Sequence, residues 1–197
     1  VVRENQFPET EEFELVGILG SGRSCYVFLA LVDKKLVSLR MSYEEADFTD
    51  KFDSVRVEME GDYDEHFLKL LYPSIPVGYL CVGSVKKKKK LFFDKKVYAS
   101  FWEKADATLT SKLGASLELK LQWFRDFLKG LQIIHARRRA HFDIKLENLF
   151  LVDNQLKIGD FEYYLKIEDF IQSKIHFCGT PGHIAPAKVA TELPAFV

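Results

Sequence analysis

Hydrophobic and polar residues alternate through the first part of the chain, in short runs separated by turn-forming residues. Apolar and β-branched residues dominate 13–19, 26–32 and 36–42, with Gly20-Ser21-Gly22 and Asp33-Lys34-Lys35 between them. Alternation of this kind, bounded by glycine and charged residues, is typical of strands joined by hairpins. The pattern therefore predicts an antiparallel meander at the start of the fold.

The following region is charged at first and then more apolar. We expect a helix within 43–72 that ends before Pro73, because proline removes a backbone donor and cannot continue a helix. The run 75–85 is predicted as a strand, and 97–102 as another. Between them, the five lysines Lys86–Lys90 are most simply a solvated turn.

After Trp102 the apolar residues recur with a helical period, and Ser116 stands where it would cap the start of the helix. Six apolar residues form one stripe, which we expect to pack in the core: Leu117, Leu121, Phe124, Leu128, Leu131 and Ile134. Strands first and helices afterwards predict an α+β protein with two lobes joined near 101–106.

Composition narrows the class of protein. The 197 residues are 47% apolar, which is enough to bury a core in one or two domains. The net charge of −1 gives no reason to expect nucleic acid or an anionic membrane as a partner. No apolar run approaches the roughly 20 residues of a membrane span. Three widely separated cysteines predict reduced thiols in a cytoplasmic or nuclear protein: Cys25, Cys81 and Cys178.

The strongest chemical signal is the stretch His141–Asn148, HFDIKLEN, followed by Asp160-Phe161. It sets Asp143, Lys145 and an asparagine ahead of a second aspartate, which is the order that phosphoryl transfer from a nucleotide uses. The first aspartate accepts the hydroxyl proton, while the asparagine and the second aspartate hold magnesium ions. Each residue alone is most simply a helix cap or a surface turn, but their joint spacing favours a nucleotide site.

These motifs resemble the catalytic loop and metal-binding turn of eukaryotic serine/threonine protein kinases, H-R-D-L-K-x-x-N and D-F-G. With CGTPGHIAP at 178–186, they are most similar to the polo-like group. The resemblance covers 13–190 and implies a bilobal α+β fold: an N-terminal lead-in at 1–12, an antiparallel β-sheet N-lobe with one helix at 13–104, and a partial, mainly helical C-lobe at 105–197 that ends after the activation segment.

The resemblance gives roles to matching residues of the lower lobe. Asp143 would be the catalytic base, and Lys145 would clamp the γ-phosphate of ATP. Asn148 and Asp160 would hold Mg²⁺ and, through it, the nucleotide.

The resemblance gives supporting roles to three further residues. His141 and Phe161 would pack in an internal apolar column rather than touch substrate. Thr180 would form hydrogen bonds near the base and the lysine.

In the upper lobe, Gly20 and Gly22 are a weak signal alone, because any hairpin uses glycines there. Within the resemblance they would let the backbone approach the phosphates of ATP, and Val27 would lie over the adenine. Cys25 replaces the third glycine of the family pattern.

Arg40 stands where the family has its phosphate-pairing lysine. Its planar fork makes this exchange non-conservative. The usual partner of that lysine is a glutamate, for which Glu65 is nearest to the expected place, while Glu58 and Glu60 stay open.

Several positions depart from the family pattern. Phe142 replaces an arginine that binds a phosphorylated activation loop, and His176 replaces the activating threonine. Ser173 is an alternative phosphorylation site that no feature of the sequence supports. Phosphorylation at this place is therefore not expected to switch the protein. Glu162 replaces the glycine of D-F-G and adds a carboxylate beside the metal site, and Ala187 replaces the glutamate of A-P-E.

The sequence also stops at Val197, before the central apolar helix of kinases. The resemblance thus implies that apolar surface of the lower lobe is exposed or covered by something else.

The implied function is ATP- and Mg²⁺-dependent transfer of the γ-phosphate to Ser or Thr of a protein substrate, with weakened activity. A pseudokinase that serves as a binding or scaffold module for a protein partner is the main alternative. A truncated kinase fragment is the third.

Overall fold

The computed structural model describes residues 13–21, 25–42, 63–77, 80–84, 87–91, 97–168, 179–180 and 182–183. Within these residues, most strands of the first unit come first along the chain and one long helix follows. The chain divides into two compact units. The first comprises Val1–Glu60 with Leu68–Ala105, and the second comprises Gly61–Phe67 with Asp106–Val197. The predicted α+β class is confirmed.

The first unit is built on an antiparallel sheet of five strands, in the order β1-β2-β3-β7-β4. The strands are β1 (Glu14–Ser21), β2 (Cys25–Val32), β3 (Lys35–Ser42), β4 (Leu70–Val77) and β7 (Val97–Glu103). A separate antiparallel hairpin contains β5 (Leu80–Ser84) and β6 (Lys87–Leu91).

The predicted meander β1-β2-β3 is confirmed, and local chemistry explains its turn. Asp33 and Lys34 connect β2 to β3 with φ of 46° and 64°. A two-residue hairpin needs positive φ at both positions, because only then does the turn follow the right-handed twist of the strands. Alternate residues of the sheet face one core: Leu15, Ala30, Val32, Val37, Leu39, Met41, Ala99 and Phe101.

The second unit contains the short helix α1 (Tyr63–His66) and the long helix α2 (Leu117–Ala136). Its strands are β8 (Ala107–Thr108), β9 (Arg139–Ala140), β10 (Leu149–Val152), β11 (Gln155–Ile158) and β12 (Leu165–Lys166). They form two sheets, β11-β10-β8 and β12-β9. Single 3₁₀ turns lie at Leu109–Lys112, Leu146–Asn148 and Phe161–Tyr163.

Helix α2 starts as predicted and is fastened to the β10–β11 hairpin. The hydroxyl of Ser116 accepts a hydrogen bond from the N–H of Leu119 at 3.4 Å. The indole N–H of Trp123 donates to the carbonyl of Asn154, in the hairpin turn, at 2.9 Å. The second contact holds the helix against the β10–β11 hairpin, which directly follows the loop at 141–148 in the sequence. Within the described residues, no helix is both long and apolar enough to cross a membrane.

The predicted end of the helix in 43–72 is wrong. Helix α1 ends at His66, and Leu70–Tyr72 belong to β4, which continues through Pro73. β4 is one of the two edge strands of its sheet, and its register against β7 shifts between Tyr72 and Ile75. A proline is tolerated at such a place, because an edge strand leaves donor positions unpaired and a bulge interrupts the ladder. Residues 43–62 lie outside the described residues.

The predictions for 75–85 and for the lysine run are also wrong. Residues 75–77 end β4 and 80–84 form β5, so two strands replace one. Lys87–Lys90 lie in β6 and pair with β5 instead of forming a turn, while Lys86 lies outside the described residues. Lysines are common on edge strands, where their charge prevents pairing with another chain. The strand predicted at 97–102 is confirmed as β7.

The expectation that the apolar stripe of α2 packs in the core is wrong for most of its members. Ile134 is buried, but four others are exposed: Leu117, Leu121, Phe124 and Leu128. The buried face of the helix is formed by Trp123, Gly130 and Ile134, which lie against β11 and α1. β11 and α1 thus cover the side of the helix that carries Trp123, Gly130 and Ile134. Most of the predicted apolar stripe lies on another side of the helix and is exposed.

Candidate functional site

The loop after β9 is shaped around a buried histidine. Phe142 has φ of 62°, a left-handed conformation that a bulky residue adopts only when its surroundings impose it. The ring of His141 is 2% exposed. Its Nε2 donates to the carbonyl of Gly159 at 2.9 Å, and its Nδ1 accepts from the N–H of Asp143 at 3.3 Å. The two partners define the neutral tautomer, with the proton on Nε2.

Burial lowers the pKa of His141, and the Gly159 carbonyl with the nearby carboxylates of Asp160 and Asp143 opposes this only in part. The imidazole is therefore neutral near neutral pH. It is a structural link between the loop after β9 and the turn at 159–160, as its predicted packing role requires, and its one N–H proton is donated to the carbonyl of Gly159.

Asp143 is the centre of a compact hydrogen-bonded cluster. Oδ1 accepts from the N–H of Thr180 at 2.8 Å and from its hydroxyl at 2.7 Å. Oδ2 accepts from Lys145 Nζ at 2.9 Å and from Asn148 Nδ2 at 3.0 Å. Lys145 Nζ also donates to the Thr180 hydroxyl at 2.6 Å, which confirms the predicted contacts of that threonine. The structure thus brings Thr180 into contact with Asp143 and Lys145 of a single loop, of which Asp143 lies 37 positions earlier in the sequence.

The carboxyl group of Asp143 is strongly held as an anion. Burial raises its pKa, but hydrogen bonds from Lys145 and Thr180, the lysine charge and the bond from Asn148 outweigh this, so the pKa lies below its ordinary value. A carboxylate offers about four lone-pair positions. All are used by these donors, so a substrate hydroxyl has to displace one of them.

Asn148 and Asp160 are joined through the backbone. The N–H of Gly159 donates to the carbonyl of Asn148 at 3.0 Å, and the next residue, Asp160, has the left-handed φ and ψ of 61° and 67°. The amide of Asn148 donates through Nδ2 to both the carbonyl and the carboxylate of Asp143. Because the nitrogen is held there, Oδ1 is the atom that Asn148 offers to a ligand.

This donor set fits a magnesium ion. Mg²⁺ takes oxygen ligands and is commonly held by one or two carboxylates together with the phosphates of a substrate. Asn148 Oδ1 and the carboxylate of Asp160 are ligands of that kind. Among the described residues there is no group of three or more His, Cys, Asp or Glu side chains suited to a metal ion.

An aromatic column supports the turn at 160–161. The ring of Phe161 is fully buried, 5.0 Å from His141, 5.5 Å from Phe67 and 5.6 Å from Tyr164 between ring centroids. The predicted buried packing of His141 and Phe161 is confirmed. Phe67 was not assigned to the site from the sequence, where it is one of several apolar residues near α1. Only its contact with Phe161 identifies it.

In the first unit, three candidate residues lie in one cross-strand row. Gly20 in β1 pairs with Val27 in β2, which pairs with Arg40 in β3. Residues directly opposite on antiparallel strands share a face of the sheet, so the Val27 and Arg40 side chains lie side by side. Both are half-buried. Their assignment to nucleotide binding stays a prediction.

Glu65 lies in α1, in the other unit from Arg40. Its side chain is 63% exposed, with its carboxylate 3.8 Å from Nε2 of His66. The pairing of Glu65 with Arg40 stays a prediction, and the alternatives Glu58 and Glu60 lie outside the described residues.

Other predicted positions also lie outside the described residues: Gly22, Ser173, His176, Cys178, Pro181, 184–186 and Ala187. The same holds for the side chain of Glu162.

Comparison with known proteins agrees with this geometry. The protein kinase domain family matches residues 13–193. The chain is 43% identical over 65 residues to the serine/threonine-protein kinase PLK1 of Xenopus laevis, covering 32% of this chain and 11% of that protein. It is 45% identical over 60 residues to the serine/threonine-protein kinase polo of Drosophila melanogaster, covering 30% and 10%.

A third relative is the phosphorylase b kinase gamma catalytic chain, liver/testis isoform, of Homo sapiens, 34% identical over 79 residues, with 40% of this chain and 19% of that protein covered. The aligned stretches thus span less than a fifth of the length of these relatives. The family match covers nearly the whole chain and agrees with the α+β architecture and the Asp143 cluster. The chain belongs to the protein kinase family.

Proposed function

We propose that this chain binds ATP together with Mg²⁺ and transfers the γ-phosphate to serine or threonine of a protein substrate, at a rate well below that of an ordinary kinase. The cluster around Asp143 carries the proposal, because Lys145, Asn148 and Thr180 all form hydrogen bonds to its carboxylate. Such an arrangement supports the proposed roles of Asp143 as base, Lys145 as phosphate-binding cation and Asn148 as metal ligand. The similarity to serine/threonine kinases supports the substrate class.

Bound Mg²⁺ would neutralise charge on the phosphate oxygens. Asn148 Oδ1 and the Asp160 carboxylate would hold the ion. Asp143 would accept the proton of the substrate hydroxyl once one of its four donors has moved. Lys145 is the donor best able to leave, because its side chain is 19% exposed and flexible, and the phosphate of a bound nucleotide is an alternative partner. Its movement would open Oδ2 to the hydroxyl.

The proposed weakness of transfer rests on the low pKa of Asp143 and on Arg40. A base that is held as an anion by several donors has little tendency to take a proton. Arg40 replaces a compact ammonium with a longer planar fork, and misplacing one phosphate-positioning group commonly costs on the order of 100-fold in rate. The same two observations favour the second candidate, a pseudokinase that binds a protein partner without transferring phosphate.

Binding is tested by thermal denaturation with ATP, with and without Mg²⁺. A ligand at about ten times its dissociation constant stabilises by about 1.4 kcal/mol, which raises the midpoint by roughly 3–6 °C in a chain of this size. We expect the shift to require Mg²⁺ and to be lost in Asp160→Asn, but not in Asp153→Asn, an exposed aspartate of the β10–β11 turn. The absence of any shift at millimolar nucleotide would contradict the proposal.

Transfer is tested with radiolabelled ATP and a generic Ser/Thr substrate. We expect a low rate that Asp143→Asn abolishes and Asp153→Asn leaves unchanged. Arg40→Lys separates two explanations: a higher rate identifies the arginine as the cause of the weakness, whereas a lower rate means that the site has adapted to it. Nucleotide binding with no transfer in any of these proteins would establish the pseudokinase alternative.

A further inference from the structure

A serine lies directly beside Arg40 in the five-stranded sheet of the first unit. Ser100 of β7 is paired with Arg40 of β3, which is paired on its other side with Val27 of β2. Side chains that lie directly opposite on antiparallel strands share a face of the sheet, with their Cβ atoms about 4.5–5.5 Å apart. The side chain of Arg40 therefore begins between a valine and a serine.

The two neighbours of Arg40 leave it different amounts of room. The side chain of Val27 is branched at Cβ and stiff, so it restricts the space on the β2 side. Ser100 adds only a small hydroxyl group on the β7 side. The residues before and after it in β7, Ala99 and Phe101, belong to the core on the opposite face. Room for a long side chain at position 40 is thus on the β7 side.

The strand on the far side of β7 is irregular at the same point. The register of β4 against β7 shifts between Tyr72 and Ile75, whose partners are Phe101 and Ala99. Ser100 lies between these two partners, so it stands beside the irregularity and outside the pairs of the β4 ladder. An irregularity of this kind leaves residues of the bulged strand unpaired. The cross-strand row of the first unit therefore ends at Ser100.

The hydroxyl of Ser100 is buried and oriented. The residue is 5% exposed, so the space above it is filled. Its oxygen accepts a hydrogen bond from the indole N–H of Trp102 at 2.9 Å. A hydroxyl has two lone pairs, and a guanidinium has five N–H donors and no acceptor. The second lone pair of Ser100 can therefore accept a hydrogen bond from a guanidinium that lies over it.

We propose that Ser100 is the positioning residue of Arg40, because its small size leaves the space that the guanidinium occupies. The inference rests on the proposed function, in which Arg40 contacts the phosphates of ATP. A guanidinium is a wide planar fork, whereas an ammonium is a compact point charge. A large side chain at position 100 would thus displace an arginine at position 40 but leave a lysine in place. Ser100 therefore acts on the affinity for ATP, while the altered geometry of Arg40 still slows transfer.

The test compares the unaltered chain with Ser100→Leu, Arg40→Lys and the double variant. The dissociation constant of Mg²⁺-ATP is measured by displacement of a fluorescent ATP analogue from the full chain. We expect Ser100→Leu to weaken binding at least about 10-fold when residue 40 is arginine, as overpacking of a buried position does. In the Arg40→Lys background the same change should cost less than about 3-fold. General damage to the sheet would not be rescued by Arg40→Lys in this way.

Three further variants serve as controls. Lys35→Leu places the same side chain at an exposed position of β3 and should leave the affinity within about 2-fold. Ser100→Ala keeps the space but removes the hydroxyl, and it should weaken binding by less than about 3-fold, the usual effect of one hydrogen bond. Ser100→Val adds less volume and takes the place of Ser100→Leu in the comparison if the leucine variant does not fold.

Thermal midpoints of the same proteins without nucleotide test the packing independently of ATP binding. We expect Ser100→Leu to lower the midpoint by at least about 3 °C more in the chain with Arg40 than in the Arg40→Lys background. This difference in proteins that bind no ATP would refute the proposed function alone. Equal effects of Ser100→Leu in both backgrounds would overturn the inference. So would a loss of affinity in Ser100→Ala as large as that in Ser100→Leu, because the space at position 100 would then not matter.

Discussion

Replacing Asp143 with asparagine tests how much the cluster around it stabilises the second unit. The carboxylate accepts four hydrogen bonds, and its side chain is 4% exposed. Asparagine retains the shape but has only one oxygen. If that oxygen keeps the two bonds from Thr180, the new NH₂ group faces Lys145 and Asn148, which are donors themselves.

The size of the effect follows from those two lost bonds. Hydrogen bonds to a charged group contribute about 1.5–3 kcal/mol each, and a buried donor without an acceptor is costly. Lys145 is partly exposed and recovers some hydration, whereas Asn148 is buried and keeps only its bond to the Asp143 carbonyl. We therefore expect Asp143→Asn to lower the free energy of unfolding by about 2–4 kcal/mol.

The assay is urea unfolding followed by tryptophan fluorescence. The chain has two tryptophans, Trp102 in the first unit and Trp123 in the second. In a Trp102→Phe background, the remaining indole reports on the second unit. Asp153→Asn is the matched control, because this exposed turn residue has φ of 50°, which asparagine also adopts readily. If Asp143→Asn and Asp153→Asn unfold within about 0.5 kcal/mol of each other, the cluster has no net stabilising effect and the reasoning fails.

Two further predictions concern the same unit. Gly130→Ala should destabilise by about 1–2 kcal/mol despite the better helix propensity of alanine, because its Cβ would lie 2.8 Å from Cδ1 of the fully buried Ile158. Gly114→Ala is the control in the same urea assay, because a Cβ at that position has nothing within 4 Å. Equal stability of the two variants would contradict the packing argument. The free energy of unfolding should fall as the pH is lowered below the ordinary histidine pKa of 6.5, because burial lowers the pKa of His141 in the folded state and the unfolded chain takes up the proton first. Thermal midpoints between about pH 7 and pH 5 measure this, and an unchanged pH dependence in His141→Gln would refute it.

Saturation of Asp143 links the structural and the chemical arguments. The same four donors that stabilise the folded unit also hold the carboxylate as a weak base. A change that releases Lys145 from Asp143 would thus free a lone pair for a substrate hydroxyl while it removes a stabilising contact. A substitution that raises the transfer rate in this way is therefore expected to lower the free energy of unfolding.

Local pattern predicted the first three strands and the start of the long helix correctly. Positive φ at the Asp33-Lys34 turn and the hydroxyl of Ser116 act over a few residues, so the chain segment itself contains the cause. The same kind of reasoning was wrong about Pro73, because a proline is read as the end of a helix unless the edge position of β4 is known. It was wrong about the lysines for a similar reason, since their place in β6 depends on pairing with β5.

From its residue order alone, the chain specified which groups take part in the candidate site, because Asp143, Lys145, Asn148 and Asp160 stand at the spacing of a known catalytic loop. Tertiary structure decided how they are held. The contact of Thr180 with Asp143 joins residues 37 positions apart, and the packing of Phe67 on Phe161 joins segments still more distant. Tertiary structure also decided which face of α2 is buried. The helical period of the sequence marks an apolar side, but the positions of β11 and α1 determine which side of the helix is covered.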